Sequence, residues 1–153
     1  MRTIEPWVER PLEEFLRESS ARVVLLMTSS GQVIAQHGFT RSLDVMSAAA
    51  LGAAITASTA EMARILDTPS LGGVVHQASG IGVLLSPFPM PSGRWIGLVV
   101  LGPETTIGLV QLFFGRLVAA LQSAAPVHPD VAPLLAERFE EELNASLRSL
   151  FGR

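Results

Sequence analysis

Apolar positions along the chain recur in two rhythms, one helical and one extended. From Glu5 to Ser19 they fall at three- and four-residue steps (Trp7, Val8, Leu12, Phe15, Leu16), opposite Glu9, Glu13, Arg17 and Glu18. This spacing predicts an amphipathic helix laid on a core. Pro6 suits a first-turn position, whereas Pro11 would disturb the early helix and moves the expected start toward Arg10. Arg22 to Thr28 is apolar without alternation, the pattern of a strand covered on both faces and central in its sheet. Ser29-Ser30-Gly31 predicts a tight turn. Gln32 to Gly38 returns as a more polar antiparallel strand, expected at an edge.

Leu43 to Asp67 has helical spacing but an unusual surface. Between Asp44 and Glu61 it carries no charge, and Ala, Gly, Ser and Thr fill most positions. Ser42 is the expected N-cap, or Asp44 as cap or first-turn acid. The spacing assigns Val45, Ala48, Gly52, Ile55, Thr59, Met62 and Leu66 to the sheet. It leaves Ala50, Ala53, Ala54, Ala57, Glu61 and Arg64 as a second stripe that another backbone can approach closely. A surface helix normally opposes its apolar stripe with a charged face. This helix must therefore be buried on two sides or offer a smooth apolar surface to something else. Pro69 stops it.

Three short strands are expected next, at Gly73 to Ala78, Ile81 to Ser86 and Arg94 to Leu101. The last is apolar on both faces and should lie beside the first strand. Pro87 to Gly93 reads as a stiff, unpaired hairpin tip whose Phe88 and Met90 fold back over the sheet end, in preference to touching a partner. Thr105 to Ser123 predicts a third helix, apolar over a wide arc and well buried. Ala124 to Pro133 reads as a proline-rich linker. From Leu134, an i+4 ladder of Leu135, Phe139, Leu143, Leu147 and Phe151 faces away from Glu137, Glu140, Glu141 and Arg148. The expected fold is α/β, an α+β sandwich with a five-stranded antiparallel sheet between helices. Residues 1–123 form the body, 124–133 the linker and 134–153 a C-terminal amphipathic helix. No internal repeat is present.

Composition narrows the function by exclusion. Of 153 residues only 16% are charged and 48% are apolar. Between Val23 and Pro129 the charges are Asp44, Glu61, Asp67 and Glu104 against Arg41, Arg64, Arg94 and Arg116. So sparse a charge pattern points to a partner covering part of the surface, the alternative being a poorly charged monomer. The net charge of −3 and the scattered arginines argue against nucleic acid. No lysine is present, which excludes a Walker-type phosphate loop and Schiff-base chemistry. No cysteine is present, which excludes disulfides and thiolate chemistry. His37, His76 and His128 lack ligand spacing, so no metal site is expected. Gly80-Ile81-Gly82 lacks the rest of a dinucleotide fingerprint and reads as turn and close strand contact. Glu13-Glu14 and Glu140 to Glu142 are consecutive and point around their helices. No serine sits in a nucleophile elbow. Neither an enzyme nor a cofactor is expected. The acid- and arginine-rich N-terminus is not a secretory signal, and the uncharged run of the long helix is too short to span a bilayer. A cytoplasmic protein without membrane insertion is the expectation.

The element order resembles the roadblock (dynein light chain) family, and within it the MglB-type gliding-motility regulators. The resemblance rests on Thr28 to Ala35, on the Ala/Gly-rich helix ending Met62-Ala63-Arg64-Ile65-Leu66, and on Val75-His76-Gln77. Gly108-Leu109-Val110-Gln111-Leu112 also matches, and the C-terminal helix more loosely. It covers roughly Glu5 to Ser123. It implies a roadblock/profilin-like fold and a homodimer in which long helices pair and third strands join edge to edge. Residues Leu51, Ala54, Ser58, Val74, Val75 and His76 would lie at that interface. It further implies binding of one Ras-like GTPase of the MglA type across the long helices, through Ala50, Ala53, Ala57, Glu61 and Arg64. Hydrolysis would be stimulated without an arginine finger, in cell polarity or motility. Phe139, Leu143, Leu147 and Phe151 would contact the partner from the C-terminal helix. Two other expectations remain open: a scaffold dimer that changes no hydrolysis rate, and a small-molecule sensor.

Overall fold

A computed structural model describes residues 6–38, 43–126 and 131–150, with side chains described outside 131–140. The elements run α1 (Pro6–Ser19), β1 (Val23–Thr28), β2 (Val33–Gly38), α2 (Val45–Ile65), β3 (Val74–Ala78), β4 (Ile81–Met90), β5 (Gly93–Leu101), α3 (Ile107–Ala124) and α4 (Val131–Leu150). The strands form one antiparallel sheet in the order β2-β1-β5-β4-β3. The two strands read as apolar on both faces, β1 and β5, are neighbours, with Val23 opposite Val100 and Thr28 opposite Trp95. β2 and β3 are the edges.

Side chains alternate across the sheet and feed two cores. One face carries Val24, Leu26, Leu84, Phe88, Val99 and Leu101 under α1 and α3. The other carries Leu25, Met27, Leu85, Ile96 and Leu98 under α2. On the first face Phe114 packs edge-on against Phe15 and Phe88. Its ring occupies the place a Cβ on Gly97 would take, which explains a glycine in the central strand.

Two proline expectations are corrected. α1 starts at Pro6 and runs through Pro11. The helix loses one backbone bond there, but Val8, Leu12 and Phe15 are all buried and hold it down. Likewise, Pro87 to Gly93 is not an unpaired tip. β4 continues to Met90, with Pro87 opposite Ile96 and Pro89 opposite Arg94. Prolines at alternate positions direct their missing N–H groups to one edge, and β3 pairs no further along β4 than Leu85. Phe88 and Met90 are buried, folded over the sheet end as expected.

α4 begins at Val131, ahead of the expected Leu134, because Pro133 falls in its first turn, where no N–H partner is lost. Every described side chain from Glu141 to Leu150 is exposed.

Candidate interaction face

α2 begins with Asp44 as its N-cap; Ser42 lies outside the described residues. The Ser47 hydroxyl donates to Asp44 Oδ2 (2.7 Å) and the Ser47 N–H to Oδ1 (3.1 Å), so the carboxyl is held below its ordinary range. The helix ends where Asp67 turns left-handed at φ 56° and the Thr68 N–H reaches the Ala63 carbonyl.

Its orientation corrects the sequence reading. Ala49, Gly52, Ala53 and Ala63 are the buried residues, whereas Met62 and Leu66, assigned to the sheet, are exposed. The reason is bulk. The strands below already present Leu25, Met27, Leu85, Ile96 and Leu98, so only small residues let the helix sit down. A Cβ on Gly52 would stand 3.0 Å from Leu85 Cδ2. Ala53, expected on the partner face, is 8% exposed. It lies under the β1–β2 turn, where a Cβ on Gly31 would come within 3.4 Å of the Ala53 Cβ.

The large apolar side chains therefore point outward: Met46 is 81% exposed, Leu51 65% and Ile65 67%. Sequence reasoning missed Met46, Ile65 and Leu66 as surface residues. The available signal was the Ala49-Gly52-Ala53 spacing, which is itself helical.

Of the proposed GTPase contacts, Ala50, Ala57, Glu61 and Arg64 share the outer face. Arg64 Nε donates to Glu61 Oε1 at 2.9 Å, so the two charges neutralise each other in an exposed pair. Of the proposed dimer contacts, Leu51, Ala54 and Ser58 line a shallow apolar groove with Met62 and Leu71. Val74 turns half-buried onto the α2-side core, while Val75 and His76 are exposed on the outermost strand. Leu143 and Leu147 are exposed on α4. Phe151 and the Phe139 side chain lie outside the described residues, as does His128.

No group of three metal-ligating side chains occurs among the described residues. Gly80, at φ 79°, shapes the β3–β4 turn, and a Cβ on Gly82 would approach Leu101 to 3.3 Å, so both glycines are accounted for structurally. α2 and α3 are long and apolar enough to cross a membrane by length and composition, but each lays a buried face on the sheet.

By sequence, no family model and no curated protein matches the chain. By structure it is similar to the gliding protein MglB of Thermus thermophilus, with TM-score 0.70 and 25% identity over 80% of this chain and 94% of that one. It is equally similar to a structure described as MglB with a tetrameric arrangement, with TM-score 0.70 and 26% identity over 80% and 92%. A roadblock/LC7 domain from Streptomyces avermitilis follows, with TM-score 0.64 and 17% identity over 74% and 93%. By its element order, its sheet and these likenesses, the chain has a roadblock fold similar to that of MglB.

Proposed function

We propose that this protein is a homodimeric regulator that binds a small Ras-like GTPase of the MglA type and stimulates its GTP hydrolysis. The observation that carries the reading is the outer face of α2, exposed, apolar and without charge from Val45 to Ala60. A stable protein leaves so large an apolar strip open only where something covers it. One flank (Leu51, Ala54, Ser58) meets the twin helix. β3 extends the sheet through Val75 and His76 into the twin's, since an unpaired edge favours pairing with another strand. The other flank (Ala50, Ala57, Glu61, Arg64) receives the GTPase. The neutralised, exposed Arg64 acts as a surface contact and not as an inserted finger, so the reacting groups belong to the GTPase itself. The exposed leucines of α4 supply a second contact. The setting is cell polarity or motility.

The test is single-turnover GTP hydrolysis by an MglA-type GTPase with and without this protein. Acceleration that disappears in Ala57→Arg, with the variant still folded and dimeric, supports the reading. Binding without acceleration replaces it by the scaffold reading. Acceleration unchanged in Ala57→Arg removes the assigned face.

A further inference from the structure

A cavity lies beneath the C-terminal half of α2, away from the outer face. The helix is seated tightly at Gly52, but Thr56 and Thr59 are only half-buried and Ala60 is exposed. Ala63 is buried again, because the Thr68 N–H bonds to its carbonyl at 3.0 Å and the loop to Gly72 folds under the helix end. Helix, loop and sheet thus frame a partly open pocket of about 180 Å³.

Its walls are two-sided in character. Leu71, Val74, Leu85 and Pro87 are apolar, whereas Thr56, Thr59, Ser70 and Arg94 are polar, and no acidic residue lines the space. Among the described residues Arg94 makes no ion pair, although Arg22, Arg64 and Arg116 each do. An apolar cavity of roughly 150 Å³ holds a benzene-sized molecule. This one adds a cation and the hydroxyls of Thr56, Thr59 and Ser70 to similar space. We propose that it binds a small monocarboxylate with a compact apolar body, the carboxylate held by Arg94 and the body against Leu71, Leu85 and Pro87.

An ion pair with guanidinium orients such a ligand, while its apolar body displaces water from the walls of Leu71, Leu85 and Pro87. The site is independent of any GTPase. It touches the interaction face through α2 itself, through Leu71, which also lines the outer groove, and through Val74 of β3. Occupancy would pin the loop from Asp67 to Gly72 against the helix end.

The test uses the full chain and two acids of this size, benzoate and hexanoate, with benzamide as the uncharged control. Calorimetry and melting temperature are read together. Expected is saturable binding of at least one acid, one per chain, with a melting temperature that climbs with its concentration. Arg94→Leu, on the surface and harmless to folding, should weaken the acid by about tenfold or more, the loss of one charged hydrogen-bond pair, and leave benzamide unchanged. Ala63→Leu, which fills the space from the helix, should abolish binding of every probe. No stabilisation by either acid overturns the proposal, as does acid binding that Arg94→Leu leaves intact.

Discussion

Residues Ala53 and Ala57 are one helical turn apart and chemically identical, yet they answer to different constraints. Ala53 is buried with Ala49, Leu25 and Met27 in the α2-side core; Ala57 is exposed. An arginine at 53 must either bury its charge or prise the helix from the sheet. Ala53→Arg is expected to lower stability by about 3 kcal/mol or more, seen as an earlier urea midpoint, whereas Ala57→Arg should leave the midpoint in place. Asp44 makes a second residue-scale prediction. Its carboxyl is lowered from 3.8 by the Ser47 hydroxyl and N–H, so its contribution is present above the ordinary carboxylate value and fades as pH falls through the lowered one. The melting temperature of the native chain should therefore lose its lead over Asp44→Ala as pH drops below about 4. A lead that does not shrink as the solution is acidified contradicts the cap.

At the scale of elements, α4 stands apart. Leu143, Leu147 and Leu150 are exposed. Removing residues 131–153 is expected to leave the thermal midpoint of the sheet and three helices unchanged; a lowered midpoint would show that the helix packs on the body. Most of the elements were legible in the sequence because each carried its own period. β1 and β5 announced their burial by apolar runs, and their adjacency followed. What was not legible needed a neighbour. The face of α2 depends on how much room β1, β4 and β5 leave, and Leu25, Met27, Leu85, Ile96 and Leu98 leave room only for small residues. Hydrophobicity alone therefore put Met62 and Leu66 on the wrong side. The pairing of Pro87 and Pro89 depends on where β3 stops, which no local signal in β4 records. The outer face of α2 was legible as uncharged, but its exposed bulk was not. The cavity beneath Thr56 was not foreseen at all, since it arises from a loop folding under a helix end.

For the whole molecule, the exposed strip of α2 and the unpaired edge of β3 lie next to one another, joined by the groove that Leu51 shares with Leu71. If a twin covers both, one charge in the groove should separate the copies without disturbing either. Leu51→Glu is expected to halve the mass found by light scattering while the far-ultraviolet spectrum stays the same. An unchanged mass would remove Leu51 from the interface.

The pairing of β1 with β5 also sets an order of events. Strands from opposite ends of the body lie side by side at its centre, so the sheet cannot close until nearly the whole body has left the ribosome. The β4–β5 hairpin is local and can form alone, as can β1–β2. The β1–β5 pairing must instead close a long loop that contains α2. Long loops are slow to close. During that wait the inner face of α2 has no sheet to cover it and the outer strip has no twin, which makes the newborn chain a natural client for chaperones.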